Sequence, residues 1–167
     1  MAEQKKHPLI RQAQEVYGES WRSDLFEQYK MYVDSADKIS ERRTAANNYL
    51  LTVNTALVTL YGLAAQPAST AVWHVAVPIA GILASFVWWW LIRSYRDLNT
   101  VKFKVIHELE SHLPAALYDY EWKIAEQGRG KSYRPVSHLE GWVPLIFMVL
   151  YVLLATPHIL GLLKCLR

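Results

Sequence analysis

Polar and apolar positions along this chain follow two patterns, one coarse and one fine. On the coarse scale, no Asp, Glu, Lys or Arg lies between Arg43 and Arg93, and none between Glu140 and Lys164. The first gap is about twice the ~20 residues needed to cross a bilayer, and the second is about one crossing. Gln66-Pro67-Ala68-Ser69-Thr70 divides the long gap, because neither neighbouring helix easily accommodates a proline. The pattern predicts membrane helices over 46–65, 71–92 and 142–163. Lipid offers the backbone no hydrogen-bond partners, so helices are the expected form, and the ~10-residue alternation of a barrel strand is missing.

On the fine scale, the charged flanks keep a helical rhythm. Leu25, Tyr29, Tyr32, Ala36, Ile39 and Arg43 follow one another at alternating four- and three-residue steps, an apolar stripe that ends on a cation. Ser23 or Asp24 is placed to cap its start. Tyr95, Leu98, Lys102, Val105, Leu109 and Leu113 repeat the rhythm until Pro114 stops it. No proline or glycine interrupts 24–61 or 86–113. Two long helices of similar length are predicted, joined at the 66–70 turn as one antiparallel hairpin. With that turn centred near Ser69, facing residues have numbers summing to about 139. This register sets Asp37 against Lys102, Arg42 against Asp97, Lys30 against Leu109 between Glu108 and Glu110, and Asn54 against Ser85. After Pro114, residues 115–126 read as a short helix that Gly128 and Gly130 end. Leu117, Tyr120 and Ile124 are expected to pack it against the stalk, with Trp122 at its edge. Arg129 to Pro135 reads as a basic loop, and the weakly periodic 1–21 as a mobile segment.

The fold class predicted is an all-α integral membrane protein: a long antiparallel transmembrane hairpin with cytoplasmic helical extensions plus a third, C-terminal transmembrane helix. The 167 residues form a single membrane domain. Within it, 22–45 is a cytoplasmic helix and 93–140 holds cytoplasmic helices and a loop. The polar start is no secretory signal peptide, so the first membrane helix must itself direct insertion.

Charge sets orientation. Eight Lys and Arg precede the first membrane helix, none lies in 66–70, and eight lie from Arg93 to Glu140. Both charged blocks are therefore expected in the cytoplasm, with the short turn outside. The third helix carries Lys164 and Arg167 outwards, a mild breach of the rule; the alternative leaves that helix tucked in without crossing. Trp73, Trp88, Trp89, Trp90 and Trp142 sit at span ends, where indoles anchor. The formal net charge of +3, with acids and bases interleaved, excludes a nucleic-acid-binding stripe or a polybasic lipid patch. Cys165, the lone cysteine, excludes an intrachain disulfide and a multi-cysteine metal site.

Candidate chemistry is sparse. His107 and His112 are five apart and turned away from each other, whereas a helical zinc pair needs a spacing of four. No phosphate-cradling glycine loop and no nucleophile with an identifiable base are present, and no cofactor is implied. The spans contain amides and hydroxyls but no acid or base, so a proton relay or ion-coupled carrier lacks its usual parts. His74 and His158 lie near the outer surface and read as interfacial. Asn47, Asn54 and Tyr61 recur at seven-residue intervals. With Ser85 they read either as interhelical hydrogen-bonding groups or as the lining of a hydrated path.

The distributed string of residues resembles a known family. Tyr29-Lys30, Ala36-Asp37-Lys38-Ile39-Ser40-Glu41-Arg42-Arg43, Asn47-Asn48-Tyr49 and Asn54-Thr55-Ala56-Leu57 open it. Tyr95-Arg96-Asp97-Leu98-Asn99, Lys102-Phe103-Lys104-Val105-Ile106 and Glu108-Leu109-Glu110 continue it. Leu113-Pro114, Glu121-Trp122, Glu140 and Pro144 complete it. Over roughly residues 26–150 the chain resembles the RipA-type family of small bacterial cytoplasmic-membrane proteins, which are described as octameric. The two-helix core is also similar in architecture to SLATT-type effector modules of bacterial conflict systems. The resemblance implies a non-enzymatic octamer in the bacterial inner membrane, involved in stress or host adaptation. Its partners would be further copies of itself, membrane lipids and an unknown cytoplasmic protein. Asp37, Arg42, Arg43, Arg96, Asp97 and Lys102 are then expected to organise a cytoplasmic collar, and Asn47, Asn54 and Ser85 to make intramembrane contacts or line a pore. The competing functions are an oligomeric pore or membrane-disrupting effector, and a membrane enzyme subunit built on Glu108 and His112.

Overall fold

The structure is a computed structural model that describes residues 9–64, 72–125 and 140–165. The described residues form five helices and no strand: α1 (Gln14–Tyr17), α2 (Trp21–Ala64), α3 (Trp73–Glu110), α4 (Leu117–Ile124) and α5 (Trp142–Cys165). The expected 66–70 turn, the ends at Gly128 and Gly130, and the 129–135 loop lie outside the described residues. By contact the chain divides into two compact units: Met1–Ile39 with Asn99–Arg134, and Ser40–Leu98 with Pro135–Arg167.

In the first unit, α2 buries Leu25, Ala36 and Ile39. Their spacing places them on one helix face, as the apolar rhythm requires. Ile106, Leu109 and Glu110 are buried on α3. The expected stripe on that helix named Lys102, Val105 and Leu109; the observed one is displaced slightly, with Ile106 fully buried, because Glu110 is drawn inwards by donors described below. α2 starts at Trp21, ahead of the expected caps. Ser23 donates to Ser20 O at 2.8 Å and Asp24 instead accepts from Tyr17 at 2.8 Å. The segment expected to be mobile contains α1, and Trp21 donates to Gln12 O at 3.1 Å. Gly18, at φ +99°, makes the junction, a conformation that side chains with a Cβ rarely adopt. Aromatic ties and a glycine turn carry no helical period, so the rhythm of the sequence passes over them.

The second unit packs α2, α3 and α5 together. Leu50, Trp88 and Ile92 form its core with Leu91, Val143 and Phe147 around them. Among the described residues, Trp73–Glu110 and Trp142–Gly161 are long and apolar enough to cross a membrane. The stretch expected as the first span, 46–65, is not among them. Asn47, Asn48, Asn54 and three threonines lower its hydropathy, although it packs directly on the other two. Leu98, counted in the expected stripe, is 43 % exposed in this unit.

Candidate functional site

The polar residues of the second unit are tied across all three of its helices. Asn54 and Ser85 are both 0 % exposed. Ser85 Oγ donates to Asn54 Oδ1 at 2.8 Å, and Asn54 Nδ2 donates to Leu50 O at 2.8 Å. Tyr151 of α5 donates through its hydroxyl to Asn54 O at 2.9 Å. Helix α3 admits that ring only because Gly81 lies against it: a Cβ there would overlap the ring tip. The glycine is a packing requirement, made by close approach rather than by backbone freedom. One turn towards the charged flank and beyond, Trp88 donates to Asn47 Oδ1 at 2.8 Å. Further along that flank, Arg43 and Glu140 form an ion pair at 3.6 Å, longer than a hydrogen bond. At the other end Tyr61 donates to Leu154 O at 3.0 Å, and the His74 and His158 rings stack at 4.3 Å.

This spine answers the accounting that lipid imposes. An unsatisfied amide is costly in a low-dielectric interior, so each buried polar group must find a partner inside the protein. Of the residues singled out as intramembrane polar groups, Asn54 and Ser85 are joined to each other and to the Tyr151 phenol, and Asn47 to the Trp88 indole. Tyr151 and Gly81 were not singled out. The signal was there in part, since Tyr151 is the only tyrosine in an otherwise oily segment.

The first unit holds a second buried polar centre. Glu110 is 1 % exposed. Its Oε1 accepts from the Tyr29 hydroxyl at 3.0 Å and Tyr118 N at 2.9 Å, and its Oε2 accepts from Asp119 N at 2.9 Å. The two amides belong to the first turn of α4, whose own N-cap residue, Ala116, offers no side-chain cap. Glu110 therefore caps α4 from a distance, satisfying two orphan donors with a carboxylate at the positive end of the helix dipole. Burial, with the Glu110 bond second, pushes the Tyr29 hydroxyl well above the usual phenol range. Burial also raises Tyr118, with Asp37 the largest charge contribution. Phe103 meets the Tyr118 ring edge-on at 5.7 Å.

This capping reverses the face expected for α4. Leu117, Tyr120 and Ile124 point away from the unit, Leu117 being 68 % exposed, while Tyr118 packs inward. The expected charge matches also rearrange. Lys102 donates to Ser35 at 2.8 Å and sits over the Tyr32 ring at 4.5 Å, where Asp37 had been expected. Lys30 pairs with Glu27 on its own helix at 2.7 Å, and Tyr29 takes its place opposite Glu110. Long flexible cations reach local partners, so the helix register survives while the individual pairings do not. Asp37, Arg42, Arg96 and Asp97 are exposed. Among the described residues no group of three or more His, Cys, Asp or Glu is arranged to hold a metal ion.

A family model of octameric membrane proteins (8xMP) matches residues 26–160. The chain belongs to the octameric membrane protein family. That membership covers both units, from the apolar stripe of α2 to the far turns of α5. Comparison with curated proteins and with solved structures gave no match. Membership in a membrane-protein family accords with the two helices long and apolar enough to cross a membrane, Trp73–Glu110 and Trp142–Gly161.

Proposed function

We propose that this octameric membrane protein is a non-enzymatic homo-oligomer of the bacterial cytoplasmic membrane, built from a helical hairpin and a third spanning helix per subunit. The observation that carries this reading is the Asn54–Ser85–Tyr151 spine. It joins three helices through buried hydrogen bonds that serve packing. The charge-free gaps and the flanking cations support an orientation with both charged blocks in the cytoplasm and the carboxyl terminus outside. Asp37, Arg42, Arg96 and Asp97 are exposed on the charged flanks, where a collar between subunits would need them.

The reading is tested by native mass spectrometry of the full chain extracted in mild detergent, with cysteine-accessibility mapping of both termini in intact cells. An eight-subunit mass with an inaccessible amino terminus is expected. A monomer, or an amino terminus labelled from outside, would overturn it. A pore is the second reading, favoured by the hydroxyl-bearing outer face of α2 (Thr52, Thr55 and Thr59). Purified octamer in liposomes that conducts ions would establish it, and silence under every tested potential and pH would remove it.

A further inference from the structure

Helix α2 has two polar faces within the second unit, and its own chain uses one of them. Arg43, Asn47, Leu50, Asn54 and Tyr61 turn towards α3 and α5. Asn48, Thr52, Thr55, Thr59 and Gly62 lie on the opposite side at alternating four- and three-residue steps, and all five are exposed. That spacing matches the seam by which one helix packs on another. Leu51, Thr52, Thr55, Ala56, Thr59 and Leu60 line a shallow, open depression on this face.

We infer that this outer face of α2 is where a second copy of the chain packs in the octamer. The inference rests on the membrane-octamer reading and names the surface that reading leaves open. Four observations support it. Membership of an octameric family requires each chain to touch further copies. The free side of α2 here carries Asn48, Thr52, Thr55 and Thr59, so it is more polar than a face that suits lipid. The other exposed faces of the unit are oily, with Leu83, Phe86 and Trp90 on α3 and Val149, Val152 and Leu153 on α5, and suit lipid directly.

The fourth is the state of the hydroxyls. Thr52, Thr55 and Thr59 each donate to the carbonyl four residues earlier, at 2.9, 2.8 and 2.9 Å. Their protons are satisfied without water, so methyl groups and small atoms meet the neighbour in a dry contact. Small residues let two backbones approach closely, which is the main source of helix affinity in lipid.

Two measurements on the full chain in nanodiscs decide the matter. Thr55→Trp is expected to lower the octamer fraction in native mass spectrometry at least tenfold, with helicity unchanged because the position is exposed within its own chain. Thr55→Ala should keep the octamer. A small diazirine amino acid at position 55 should photocrosslink chain to chain. A Thr55→Trp protein that stays octameric, or adducts with lipid alone, overturns the inference while leaving the octamer reading intact. An octamer that persists with altered ion flux overturns it too, by placing the face on an aqueous axis. A wild type that is monomeric overturns both.

Discussion

Glu110→Gln tests how the first unit holds α4. The carboxylate accepts three donors, from Tyr29, Tyr118 and Asp119. Glutamine keeps the length and shape but turns one oxygen into an NH2 group. If that group takes the Oε2 position, it faces the Asp119 N–H, donor against donor. If it takes Oε1, it faces the Tyr118 N–H donor against donor, and the Tyr29 hydroxyl must turn from donor to acceptor. The milder outcome removes one bond to a charged acceptor, about 1.5–3 kcal/mol, of the same order as losing a helix cap at about 0.5–2 kcal/mol. We take about 2 kcal/mol. Helix α4 has 8 residues, too few to be stable without such support. Its local opening should therefore become about 30-fold more frequent, at tenfold per 1.4 kcal/mol. Hydrogen exchange read by mass spectrometry on a peptide spanning 116–125 reports this directly. Peptides from 44–60 serve as the control and should not change. Exchange at residues 117–119 within about twofold of wild type would refute the capping argument, since those amides would then owe their protection to something else.

Three further outcomes follow from the same geometry. Gly81→Ala drives a methyl into the Tyr151 ring and should cost about 1–3 kcal/mol by thermal unfolding in detergent. Pairing it with Tyr151→Leu should give a combined loss well below the sum of the two, as contacting sites do. Ser85→Ala removes one intramembrane hydrogen bond and should cost about 0.6 kcal/mol, at most about 1.7, whereas a loss of 4 would mean that the spine does more than pack. The raised Tyr29 and Tyr118 hydroxyls make the first unit sensitive to alkali. Below the ordinary phenol pKa of about 10 both states keep their protons and stability is whole. Above it the unfolded chain releases protons that the folded one retains, so stability falls as pH rises. The difference in 295 nm titration between wild type and Tyr29→Phe should show this late phenolate, and identical curves would contradict it.

Much of the architecture was legible along the chain. Charge-free gaps and the helical rhythm located the helices, and Pro114 follows the end of α3 at Glu110. The register was legible as well: Asn54 meets Ser85 and Tyr29 meets Glu110, and both pairs of numbers sum to 139. The ion pairs proposed from that register were not legible. Lysine side chains choose among several carboxylates and hydroxyls within reach, and differences of a few tenths of a kcal/mol decide between them. The outward face of α4 was misjudged for a related reason. Its apolar residues suggested inward packing, and nothing local announced that a glutamate several residues upstream would seize its amino-terminal amides.

Sequence alone thus settles that the chain is helical, where its charge-free segments lie and which residues stand level on adjacent helices. These follow from period, steric limits and the cost of charge in lipid, all of which act over short stretches. Tertiary structure alone decides which polar groups are spent inside the subunit. Tyr151 reaches Asn54 across a glycine gap, and Glu110 reaches α4 across a turn. Those choices depend on distances between segments far apart in the chain. They leave the threonine face of α2 open and the asparagine face closed, a distinction that composition and spacing cannot make because both faces carry the same rhythm.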